Sequence, residues 1–266
     1  MSLKALVVLS GGQDSTTCLA WARRYYQEVH AITFNYGQKH FRELGAAVDV
    51  ARLLGVASHE CINMPPILKS TSPLVNSAAP LEKYTDYASM DAIIGNRVEK
   101  TFVPMRNALF LTLAANHALH LGVRTLVTGV CQADNANYPD CRRSFVHAQQ
   151  NTINEALGIS DFHIHAPLMD LSKAHSIDLM LQLGHFPLLA FTHTAYDGQY
   201  PPVGKDHASV LRAHGFEQAG VPDPLVVRAW MEGYMELPTE PNYTTYVGLP
   251  RLCDAINELK DKLSRA

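Results

Sequence analysis

LSGGQDSTTCL, residues 9–19, decides the fold. It follows the apolar run KALVVL (4–9), which reads as a buried parallel strand, and it precedes DSTTCLAWARRYY (14–26), whose apolar spacing suits a helix. A helix start offers unpaired backbone N–H groups and the positive end of the dipole. Gly11 and Gly12 let the backbone approach an anion closely, and Ser10, Ser15 and Thr16 add hydroxyl donors. Together they form a phosphate cradle. An ordinary strand-to-helix turn uses the same residue types, so the rest of the chain must arbitrate.

The alternation continues outward from this loop. VHAITFNY (29–36), SHECINM (58–64), TLVTGV (125–130) and FHIHAPL (162–168) read as strands. Helices are predicted for HFRELGAAVDVARLLG (40–55), MRNALFLTLAANHALHLG (105–122), SFVHAQQNTINEALG (144–158) and SKAHSIDLMLQLG (172–184), the last with Ser172 as its N-cap. The fold class is therefore α/β, a doubly wound parallel sheet with helices on both faces. Residues 65–100 form a long loop-rich insertion, and residues 192–208 are irregular.

The 266 residues carry a net charge of −3, 47% apolar and 18% charged residues, which suits a sizeable core and implies no broad basic face for nucleic acid. No apolar run of about 18 residues suggests a membrane span. The N-terminus lacks a signal-peptide cleavage region, and five cysteines without a CxxC pair fit reduced thiols, so a cytoplasmic location is expected. The thirteen histidines show no metal-binding spacing such as HExxH.

The opening loop lacks the Gly-Lys-Ser/Thr ending of a Walker A motif and is not GxGxxG. SGGxDS instead resembles the pyrophosphate loop of the N-type ATP pyrophosphatases (PP-loop, adenine nucleotide alpha hydrolase-like). FNYGQKH (34–40), FVPMRNALFLTLAA (102–115), TGVCQADNANYPDCRRSFV (128–146), PLMDLSKA (167–174) and LRAHGF (211–216) narrow the match. In this order they resemble the 7-cyano-7-deazaguanine (preQ0) synthase family of queuosine biosynthesis, from about residue 4 to about residue 224. The resemblance implies an ATP-dependent carbon–nitrogen ligase. It would adenylate 7-carboxy-7-deazaguanine, let ammonia displace AMP, adenylate the resulting amide and release the nitrile. It implies ATP and Mg²⁺ as cofactors, the small molecules as partners, no nucleic acid and no membrane. A homodimer is expected.

The resemblance implies roles residue by residue. Asp14, Lys173 and Arg106 would be catalytic, with Asp14 holding Mg²⁺ and Lys173 and Arg106 stabilising phosphate charge. A solvated lysine and a surface ion pair are the plainer readings of the last two. Ser10, Gly11, Gly12, Gln13, Ser15, Thr16, Asn35, Tyr36, Gly37, Asn107 and Gly129 would bind nucleotide and pyrophosphate. Asn107 could equally cap its helix, and Tyr36 could be a core aromatic. FNYG ends the second strand, where open α/β sheets bind ligands. Gln38, Asp134, Tyr138, Asp140 and Arg142 would bind the deazaguanine: carboxylates to accept from its N–H groups, Tyr138 to stack, Arg142 to pair with the substrate carboxylate. An Asx-turn loop is the plainer reading of that stretch. Cys131 and Cys141 read as packing residues.

Two segments depart from the pattern. The family holds a structural zinc with four cysteines; here Ala195, Val203, Asp206 and Ser209 stand at those positions. No structural zinc is expected, with packing in its place and Pro201 and Pro202 stiffening the loop; a mixed site from His193, Asp206, His207 and His214 is the alternative. The expected organisation is a synthase domain over 1–224, including the insertion 65–100 and a degenerate zinc loop at 192–214, then a C-terminal helical extension over 225–266 that packs on the core or builds an oligomer interface. Met105 stands where a small residue is expected. A related amide ligase, a tRNA thiolase and a degenerate nucleotide-binding subunit are the alternative readings. Absent paired catalytic cysteines oppose the thiolase, and the intact loop opposes the degenerate subunit.

Overall fold

A computed structural model of the chain describes residues 3–38, 41–76, 78–132, 137–196, 198–202 and 204–265. Its elements run β1 (Lys4–Val8), α1 (Gln13–Tyr25), β2 (Glu28–Asn35), α2 (Phe41–Leu54), β3 (Ser58–Asn63), α3 (Tyr87–Ile94), α4 (Arg106–His120), β4 (Thr125–Val127), α5 (Arg143–Leu157), β5 (His163–His165), α6 (Lys173–Gln182), α7 (His207–Ala219), α8 (Pro224–Met231), α9 (Pro241–Thr244) and α10 (Leu249–Arg265). The five strands form one parallel sheet in the order β3-β2-β1-β4-β5. The expected α/β architecture is thus observed.

β1 lies at the centre, and its side chains alternate between two cores, as the pleat requires. Ala5, Val7 and Leu9 join α1, α2 and α6 on one face. Leu6 joins Ile32, Phe34, α4 and α5 on the other. Ala5, Leu6 and Val7 are fully buried, so the middle of β1 is dry on both faces, while Val8 at its end is partly buried and lines the cavity described below. The chain leaves β1 toward β2 on one side and returns as β4 on the other. That is the switch point outside the strand C-termini where open α/β sheets form a crevice.

The structure shortens two predicted strands. β4 ends at Val127 and β5 at His165, because pairing stops there and the following residues turn into loops at the crevice. It also adds helices. Within 65–100, α3 begins at Asp86, whose carboxylate accepts the Ser89 N–H at 2.7 Å while Ser89 caps back. Tyr84, Met90 and Ile94 of this insertion pack on Val210 and Leu211 of α7. The 225–266 segment packs on the core: Val227, Tyr243, Leu252 and Ile256 belong to the same cluster as β1 and α2.

Candidate active site

The loop after β1 is tied by its own hydroxyls. Ser10 N–H donates to Ser15 Oγ at 3.1 Å, and the Gly12 N–H donates to Ser10 Oγ at 3.3 Å. α1 starts at Gln13, and its N-cap Gly12 has no side chain to cap the first turn. The segment 192–196 closes the loop from behind. His193 N–H donates to the Gly11 carbonyl at 2.9 Å, and Gln13 N–H donates to Thr194 Oγ1 at 3.3 Å. Two glycines are required by space. A Cβ on Gly11, at φ +88°, would sit 2.2 Å from the Glu43 carbonyl oxygen. A Cβ on Gly129 would sit 3.1 Å from the backbone of Asp14 and Ser15. Only glycine lets β4's end and α2 press against this loop.

A cavity of about 350 Å³ opens here. Ser10, Gly12, Gln13, Asp14 and Ser15 line it, as do Tyr36, Gln38, Arg106, Asn107 and Gly129. Tyr138, Arg142 and Lys173 complete the expected residues on its wall, with Arg142 at its exposed edge. Lys173, first residue of α6, reaches across to Asp14: its Nζ donates to both carboxylate oxygens at 2.9 and 2.8 Å. The plain surface reading of Lys173 fails, since its side chain is 10% exposed. Ser172 caps α6 as expected, accepting the His175 N–H. The Gln13 side chain is buried, and neither of its polar atoms has a partner among the described residues. Arg106 Nη1 donates to the Tyr36 hydroxyl at 3.5 Å, beneath an aromatic run in which Phe110 stacks on Phe34 at 4.5 Å.

Other expected residues lie elsewhere. Asp140 does not line the cavity. Its carboxylate accepts the Asn107 N–H at 3.4 Å, so it caps α4 from outside, and burial pushes its pKa up. Asn107 in turn donates to the Asp140 carbonyl at 3.2 Å rather than capping its own helix. Asn35 pairs with Asn63 at 2.9 Å, holding the end of β2 to β3 instead of facing the cavity. Gly37 turns the chain after it, and Gly11 and Thr16 lie behind the loop with Thr16 fully buried. None of these four is on the cavity wall. Asp134 and Val203 fall outside the described residues. Cys131 donates to the Leu171 carbonyl at 3.2 Å, and Cys141 takes a bond from Asn107; both sulfurs are part of the wall.

The zinc-loop region is built on other contacts. Ala195 is buried, and Asp206 caps α7 by accepting the Ser209 N–H at 3.2 Å and its hydroxyl at 2.7 Å. Arg212 makes a bidentate pair with Asp223 at 2.6 and 2.8 Å and donates to both Thr192 and Thr194 at 2.8 Å. His214 stacks on Tyr87 instead of turning to His193 or Asp206. Among the described residues no group of three or more His, Cys, Asp or Glu side chains is arranged to hold a metal.

The cavity also takes Glu43, Phe110, Tyr196 and Arg212, to which the sequence assigns no role, and His207, which it offers only as a metal ligand. Burial lifts the Glu43 carboxyl to about 8, with Arg106 acting against it and Asp206 with it. Burial lowers His207 to about 4, with Glu99 opposing and Lys173 reinforcing. Glu99 is itself fixed, accepting the Thr101 N–H at 2.6 Å and the Tyr138 hydroxyl at 3.3 Å. Helix starts gave a usable signal for His207, because Asp206 and Ser209 have capping spacing. Nothing local marked Glu43, whose position comes from α2 packing on the loop.

A glycine-rich anion loop at the switch point of a doubly wound parallel sheet, faced by a lysine–aspartate pair, defines an α/β protein that handles a nucleotide phosphate chain. The chain matches the family described as Queuosine biosynthesis protein QueC across residues 4–220. It belongs to that family. It is 51% identical over 227 residues to the 7-cyano-7-deazaguanine synthase of Gloeobacter violaceus, covering 84% of this chain and 95% of the relative. The synthase of that name from Laribacter hongkongensis is 48% identical over 225 residues, covering 84% and 94%. Among solved structures, the NH3-dependent NAD synthetase of Campylobacter jejuni overlaps 98% of this chain and 87% of its own, at 14% identity and a TM-score of 0.41.

Proposed function

We propose that this protein is an ATP-dependent carbon–nitrogen ligase that converts 7-carboxy-7-deazaguanine and ammonia to 7-cyano-7-deazaguanine. Identity near one half over almost the whole length of synthases of that name carries this reading, with the phosphate loop and the Lys173–Asp14 pair intact. A carboxylate oxygen is a poor leaving group, and transfer of AMP to it makes it a good one. The substrate carboxylate attacks the α-phosphate and pyrophosphate leaves. Ammonia then takes the acyl carbon and AMP departs. The amide oxygen is adenylated in its turn, and loss of that AMP leaves the nitrile.

The residues supply position and charge. The α1 N–H groups, Ser10 and Ser15 hold the leaving pyrophosphate. Lys173 and Arg106 balance charge building on the phosphates. Tyr36 and the Phe34–Phe110 stack take the adenine, while Tyr138 and Arg142 take the deazaguanine ring and carboxylate. The Asp14 carboxylate spends two of its acceptor sites on Lys173 and keeps others, so it fits an Mg²⁺ held mainly by phosphates. Such an ion would neutralise charge on the pyrophosphate. No structural zinc is proposed, the Arg212–Asp223 pair and the Asp206 cap organising that region instead. Among the described residues no helix is long and apolar enough to cross a membrane. A cytoplasmic homodimer free of nucleic acid completes the reading.

Incubation with ATP, Mg²⁺, ammonium and 7-carboxy-7-deazaguanine, with products weighed by mass spectrometry, tests it. The nitrile is expected. An amide as the end product would assign the chain to an amide-forming variant of the chemistry, and no product would overturn the reading.

A further inference from the structure

We propose that His207 reads the polar edge of the substrate's fused ring, a specificity contact that rests on the function proposed above. Its side chain lines the cavity and is 4% exposed, yet Nε2 has no hydrogen-bond partner among the described residues. A buried polar atom left unpaired costs free energy, and such atoms in a cavity wall are commonly satisfied by what the cavity binds. The imidazole is also held in place. It is the first residue of α7, whose start is locked by Asp206 accepting both the N–H and the hydroxyl of Ser209.

Its surroundings select the kind of partner. His207 shares the cavity wall with Lys173 and Tyr138, and both Lys173 and Glu99 act on it electrostatically. Burial keeps the ring neutral. A neutral imidazole beside a buried carboxylate is a poor seat for an anion, which argues against phosphate or the substrate carboxylate. It presents one nitrogen as donor and the other as acceptor, which matches the N–H, amine and carbonyl groups on the edge of a deazapurine. The Phe34–Phe110 stack proposed for the adenine lines the same cavity, so the ATP-analogue arm of the test separates the two rings.

Calorimetric binding of 7-carboxy-7-deazaguanine and of a non-hydrolysable ATP analogue to wild type, His207→Phe and His207→Gln tests this. His207→Phe is expected to bind the acid about tenfold more weakly, consistent with one lost hydrogen bond, with the ATP analogue held within about twofold. His207→Gln keeps a donor and an acceptor and is expected to recover part of the loss. If the Phe variant does not unfold cooperatively, the Gln variant carries the comparison, with weakened acid binding and unchanged ATP-analogue binding expected. Unchanged affinity for the acid overturns the proposal, as does an equal loss for both ligands. Wild type that binds the acid but makes no nitrile overturns the function and leaves the His207 contact standing. Wild type that does not bind the acid overturns both.

Discussion

Lys173 Nζ lies 2.9 and 2.8 Å from the two carboxylate oxygens of Asp14, joining residues 159 positions apart at the start of α6 and the start of α1. The pair is only partly shielded, with side chains 10% and 27% exposed, so its main work is local charge placement rather than holding the fold.

From this, Asp14→Ala and Lys173→Ala are each expected to lower pyrophosphate release at least about a hundredfold while leaving the circular dichroism spectrum intact. Lys173→Arg should not restore it, since the planar guanidinium cannot replace a point charge at that reach. Near-normal turnover in either alanine variant would remove these residues from the mechanism.

Arg212→Ala is expected to destabilise the protein by about 3–5 kcal/mol in urea titrations. Its partner Asp223 is left buried without a cation, and the threonines that brace the phosphate loop lose their donor. In the same preparations, elemental analysis is expected to find no stoichiometric zinc, and a chelator should leave the melting temperature unchanged. A fall in melting temperature with chelator would mean that a metal supports this region after all.

Met105 has φ 65°, a left-handed conformation that an L side chain adopts at a cost, and its side chain is 69% exposed with little packing to offset it. Met105→Gly is expected to raise stability by about 0.5–1 kcal/mol, or about 1–4 °C in melting temperature. A lower melting temperature would show that the methionine packs usefully.

Glu43 makes stability depend on pH. Its carboxyl titrates near 8 in the folded protein against 4.5 unfolded, so the folded state binds the extra proton between these values. Its contribution is therefore most favourable below about pH 4.5 and is lost as pH rises through 8. Glu43→Gln should match wild type at low pH and exceed it above pH 8, read as urea midpoints across that range. Parallel profiles for the two proteins would refute the shift.

The sheet is legible because its strands are short apolar runs between amphipathic helices, and the phosphate loop because Gly11, Gly12 and their hydroxyl neighbours follow a strand and open a helix; the structure adds that Gly11 and Gly129 have no room for a side chain. The helix at 207–219 is not legible. Its start lies inside the stretch that departs from a cysteine metal motif, which masks the capping signal of Asp206 and Ser209. Strand ends were overextended at Gly129 and Ala166, because apolar composition does not reveal where a neighbouring strand stops pairing. Asp140 illustrates a limit of another kind. A carboxylate in a polar motif looks like a ligand group, and only the packing of α4 against it shows that a helix end consumes it. The Lys173–Asp14 pair joins distant parts of the chain, and no local pattern encodes it.

The cavity takes Ser10 and Asp14 from near the N-terminus and Lys173, Thr194 and Arg212 from far along the chain, with Asp223 behind Arg212. During synthesis the phosphate loop therefore emerges from the ribosome long before the residues that brace it. The cavity is therefore complete only once translation has passed α7, late in the synthesis of this protein.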